Sequence, residues 1–227
     1  MNSLLFIISF TYLVGTIWYY EVDWRNKRRI FVIPSEVLYF VATFLMIMTS
    51  YFFYYGSVVV IKFGHRYVYL FAVLLLTTVF LHMLAKYYED RKRFKGIKKR
   101  WWDEVHALHG YISHNLIYFS LLGILTSLAL LEIYKGVVVV GGYNVRVILL
   151  SSVLFALSLY RTIVHGRLWR TQLILIPLLT LSIVYILLVT KSNVWELPFS
   201  LFVVPMLGMS FIMLSCDEVI MRKLKSK

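Results

Sequence analysis

Seven apolar runs, each near the length that crosses a bilayer, constrain this chain more than any motif does: 3–20, 34–55, 67–87, 111–131, 145–164, 171–190 and 197–215. A hydrocarbon core about 30 Å thick takes roughly 20 residues of α-helix at about 1.5 Å rise. Backbone groups left unpaired in hydrocarbon cost several kcal/mol each, so a spanning segment is helical unless strands close a barrel, and barrel strands are short and alternate. The runs here are continuous. They predict an all-α, polytopic membrane bundle forming one seven-helix domain over residues 1–227. With 60% hydrophobic and 15% charged residues and a mean hydropathy of +0.77, the chain has too little polar surface to clothe a water-soluble core. The first run lacks a basic leader and ends in Trp18, Tyr19 and Tyr20 without a small-residue cleavage site, so it reads as a retained span.

Lysine and arginine set the expected orientation. Of 24 such residues, 19 fall in alternate loops and the C-terminal tail (25–29, 86–100, 161–170 and 222–227), and 5 (Lys62, Arg66, Lys135, Arg146 and Lys191) fall on the opposite side. The positive-inside rule then predicts an external N-terminus and a cytoplasmic C-terminus in a cell-membrane protein. Trp18, Trp24, Trp101, Trp102 and Trp169 fall near the inner boundary and Trp195 near the outer one, as interfacial anchors do. The net charge of +13 does not indicate nucleic acid, because the basic residues occupy the gaps between apolar runs. Loop 86–100, with eight of them, suits anionic lipid or a cytoplasmic protein partner, although topology alone accounts for it.

A shift of 79 residues lays Tyr39 and Phe40 on Tyr118 and Phe119, Tyr55 on Tyr134, and residues 58–61 on 137–140. This suggests a parallel repeat of two hairpins, 34–87 and 111–164, whose outer loops 56–64 and 136–142 carry β-branched runs bounded by glycine and suited to short strands. Compositional coincidence is the alternative. Glu36, just after Pro34 and Ser35, reads as a first-turn helix cap. The lone Cys216 excludes an internal disulfide, and no cysteine and histidine spacing of a structural zinc site occurs.

The histidines carry the chemical content. Of six, His82, His106, His109, His114 and His165 fall on the side assigned to the cytoplasm, and His65 on the other. His82 lies five residues before the inner end of its span and His114 at a comparable depth on the next, antiparallel span, so the two imidazoles are expected to meet. Such a pair fits the axial ligation of haem b, with Arg91, Lys92, Arg93 and Lys95 available to the propionates. A transition metal is the other candidate. Its expected ligands are His106 and His109, three residues apart on one helical face, with His165, Asp103 or His82 completing the set. Proton relay is a third use of the same residues, and hydrogen bonding between helices or solvation is the bland one.

The order of Arg66, then His82 low in one span, then Trp102 and His109 before the next, resembles small b-type cytochromes with ferric-reductase-like helices. The resemblance covers about two spans, implies a haem, and includes no diagnostic run. Other motif families are not matched: the last run has no lysine of the retinal-binding kind, no histidines are adjacent as in desaturases, and the GxGD and GxSG motifs of intramembrane peptidases are missing. Three function classes remain open. One is a haem or metal redox component. Another is a transporter, channel or translocation subunit, with Glu36 and Arg146 on a path and kinks at Pro177, Pro205 and Gly208. The last is a scaffold whose basic loops hold a partner.

Overall fold

The computed structural model describes residues 2–17, 62–90, 99–135, 143–165 and 168–225, and among them it is helical with no strand. The elements are α1 (Asn2–Ile17), α2 (Lys62–Asp90), α3 (Lys99–Ala107), α4 (His114–Lys135), α5 (Val145–His165), α6 (Trp169–Thr190) and α7 (Pro198–Lys225). A π-helical segment, Leu108–Ser113, joins α3 to α4, and a short 3-10 turn, Val194–Glu196, precedes α7. Among the described residues, five stretches are long and apolar enough to cross a membrane: Arg66–Ala85, Asp103–Tyr134, Val145–Val164, Arg170–Thr190 and Pro198–Glu218. They match the predicted runs at 67–87, 111–131, 145–164, 171–190 and 197–215. Leu5–Ile17 is a shorter apolar helix within the run at 3–20. The run at 34–55, with Glu36, lies outside the described residues.

The bundle is organised around α4. Every residue from Ile117 to Ile133 is buried or half-buried apart from Phe119, because α2, α6 and α7 all pack on this helix. In turn, α7 packs on α5 and α5 on α1. Apolar surface faces lipid as readily as protein, so small residues and hydrogen bonds hold such helices together more than hydrophobicity does. At the α1 and α5 contact, the Thr16 and Ser158 hydroxyls lie within hydrogen-bond distance of each other and of the Tyr12 carbonyl, so their two protons serve three contacts, and Tyr12 stacks on Phe155 with centroids 4.5 Å apart. Between α5 and α7, Ser152 Oγ donates to the Phe202 carbonyl at 2.9 Å. Gly123 lets α4 approach α2 closely, since a Cβ there would lie 2.5 Å from the Phe71 ring. Outward faces are apolar at helical spacing, as in Leu70, Val73, Phe80 and Leu84 of α2 and Ile174, Leu178, Leu181, Tyr185 and Leu188 of α6. Leu188 is 72% exposed, which suits hydrocarbon and not water.

At one end of the bundle, Glu132 closes the α4–α7 joint. The predicted span stopped at Leu131 and left Glu132 outside it, but α4 continues to Lys135 and Glu132 is fully buried. Pro198 opens α7 without an N–H to satisfy. The next two N–H groups go to the carboxylate, Phe199 to Oε1 at 2.9 Å and Ser200 to Oε2 at 2.6 Å. Ser200 Oγ donates to Oε2 at 2.8 Å, and Leu201 N–H bonds the Leu197 carbonyl at 2.8 Å. The helix start thus has its orphan donors paired, with the carboxyl oxygens set at the positive end of the dipole. Burial pushes the nearby Tyr143 phenol up, and Glu196 and Glu132 add to the effect.

The proposed repeat is only partly covered. Residues 39–40, 55, 58–61 and 137–140 lie outside the described residues, while 62–64 form the first turn of α2 and are not strand.

Candidate metal centre

A buried histidine organises the opposite end. His82, eight residues before the end of the 29-residue α2, is 1% exposed. Its ring sits against two others from the chain segment that leads into α4: the His82 centroid is 4.6 Å from that of His109 and 4.6 Å from that of His114. The His109 and His114 centroids are 5.7 Å apart. One ring nitrogen from each of the three lies within 4.8 Å of the other two.

The π segment explains how His109 joins. In a regular α-helix, residues five apart differ by about 140° around the axis and point to nearly opposite faces. The i to i+5 geometry of a π-helix returns the fifth residue to the same face, and such segments recur at functional sites. His109 lies inside Leu108–Ser113 and His114 follows it directly, so both face α2. Beside the rings, Ser113 Oγ bonds His82 Nδ1 at 2.9 Å and donates to the His109 carbonyl at 2.7 Å.

The structure therefore brings together His82 and His114, the expected pair, and adds His109 to them. His106, expected beside His109, is exposed and outside the group, because the change of helical pitch at Leu108 separates the two faces. His165 ends α5, and its side chain is outside the described residues, as is that of His65. Loop residues 91–98, including Arg91, Lys92, Arg93 and Lys95, also lie outside them. Sequence reasoning missed Ser113 and Glu132. A serine four residues after one histidine and one before another was the available signal for the first.

The geometry separates the two cofactor candidates. Imidazoles bound on opposite faces of one iron hold their centroids roughly 6 Å apart, given metal–nitrogen bonds of about 2 Å. Centroids at 4.6 Å leave no space for a macrocycle between His82 and His114, so a bis-histidine haem does not fit. A single ion does. A tetrahedral ion with bonds of about 2.0–2.1 Å brings its nitrogens to roughly 3.4 Å from one another, and the three imidazole nitrogens already lie within 4.8 Å of one another with no group required between them.

Compared with protein-family models, curated proteins and solved structures, the chain matches no family model, no curated protein and no solved structure.

Proposed function

We propose that this chain is a seven-span protein of the cell membrane, N-terminus outside and C-terminus cytoplasmic, that holds one first-row transition-metal ion near the cytoplasmic leaflet through His82, His109 and His114. The observation that carries the reading is the convergence of three imidazole nitrogens within 4.8 Å inside a membrane-type bundle, where ionisable side chains are rare and usually partnered. Imidazole donors without thiolate suit zinc, copper, iron or nickel. Three protein ligands leave a fourth position open, the arrangement of catalytic and not structural zinc, and water or a small substrate would take it. With copper or iron the same site exchanges electrons, which is the redox role we favour. A transport role has less support, since a carrier's site lies near mid-membrane. The helical stretch Asp103–Tyr134 is 32 residues, about 48 Å at about 1.5 Å per residue, longer than the hydrocarbon core, and His109 and His114 lie in its first half, which supports a site toward one membrane face. The basic loop 86–100 would meet anionic lipid or a cytoplasmic electron donor on that same side.

Two measurements test this reading. Equilibrium dialysis of the tag-free protein in detergent against cobalt(II), zinc(II) or copper(II) is expected to give one tightly held ion per chain; no retained ion, or loose binding of several, contradicts the site. For orientation, single cysteines are introduced at Ser192 and Lys95 in a Cys216→Ser background, the native thiol being exposed. An impermeant reagent added to intact cells should label position 192 and spare 95. Reversed labelling overturns the orientation, and labelling of both overturns the span count.

A further inference from the structure

Ser113 supplies no ligand to the three-histidine group, yet it touches two of the three ligand residues. A hydroxyl has one proton to donate. Ser113 Oγ lies 2.7 Å from the His109 carbonyl oxygen, which can only accept, so the proton is committed there. The other partner of Oγ is His82 Nδ1 at 2.9 Å, and in that contact the serine oxygen must accept. His82 therefore donates from Nδ1. A neutral imidazole carries one N–H, so its lone pair is on Nε2. Resting on the metal-site reading above, we infer that Ser113 is the positioning residue of the centre: it fixes His82 as an Nε2 ligand and ties that ring to the π segment that carries His109.

The burial makes the assignment consequential. Ser113 and His82 are each 1% exposed, so the contact between Nδ1 and this hydroxyl is sheltered from water. Hydrogen bonds that orient a ligand imidazole typically account for 10–100-fold in metal affinity. The same hydroxyl couples α2 to the backbone of the π segment. Its loss would release both the ring of His82 and the His109 carbonyl, while the ligand set itself would be intact.

The test uses the full-length protein in detergent, with Ser113→Ala and Ser113→Thr compared with wild type. Zinc(II) affinity is read by competition with a chromogenic chelator, and the His82 tautomer by ring 15N shifts in the metal-free protein, assigned by their loss in His82→Asn. The expected result is Nδ1–H in wild type, a mixture of tautomers in Ser113→Ala with zinc binding weakened about 10–100-fold, and recovery of both in Ser113→Thr. The tautomer readout separates positioning from packing, since a merely structural serine would leave the shifts unchanged. If wild type binds zinc and Ser113→Ala binds it as tightly, or if His82 carries its proton on Nε2, this inference fails and the metal site stands. If wild type binds no zinc, the metal-site reading fails and takes the inference with it.

Discussion

Replacing His82 with alanine is expected to weaken zinc or cobalt binding by on the order of 10²–10³-fold. Structural zinc sites with four protein ligands release about 10–16 kcal/mol, so one ligand accounts for roughly 3–4 kcal/mol, and each 1.4 kcal/mol is tenfold in affinity. His114→Ala and His109→Ala should fall in the same range, since all three contribute nitrogens to the group. His106→Ala is the matched control: it lies three residues from His109 but is exposed and outside the cluster, and its affinity should stay within about twofold of wild type. Equal losses at His106 and His82 would mean that the histidines act through general charge and not as a ligand set. Competition titration in detergent reads all four variants.

The second large effect is on stability. Glu132→Ala removes the acceptor for the Phe199 and Ser200 N–H groups and for the Ser200 hydroxyl, all within a fully buried joint. Buried donors left without an acceptor cost about 1–3 kcal/mol each, and breaking a buried charged partnership costs about 3–5 kcal/mol. We expect a loss of about 3–5 kcal/mol in reversible unfolding by denaturing detergent. Glu132→Gln should be intermediate, because one carboxamide oxygen still accepts while its NH2 group opposes the N–H groups of α7. Metal affinity should be unaffected in both, since Glu132 and the histidines sit at opposite ends of α4. An unfolding midpoint for Glu132→Ala equal to that of wild type would show that water or another side chain replaces the carboxylate.

Residues that state their role by apolar length alone were legible without a structure. The runs at 67–87, 145–164, 171–190 and 197–215 each coincide with a long apolar helix, because hydrocarbon demands continuous backbone hydrogen bonding from whatever crosses it. The encounter of His82 with His114 was also legible, since depth along antiparallel helices follows from residue count and helical rise. Rotation about the axis was not. A constant 3.6-residue period pairs His106 with His109 and turns His109 away from His114. The π segment at Leu108–Ser113 reverses both outcomes, and it packs against α2, a partner earlier in the chain that a local period does not register. Glu132 was hidden for a related reason. A carboxylate normally marks the end of a span, and only the approach of the α7 start, with Pro198 withholding an N–H, makes its burial favourable.

X-ray absorption at the metal edge of protein loaded with one equivalent of zinc or cobalt examines the three-histidine centre most directly. The account predicts a nitrogen or oxygen first shell at about 2.0–2.1 Å with the multiple-scattering signature of three imidazoles, falling to two in His82→Ala. A first shell of sulfur, or one with no imidazole scattering, would contradict it.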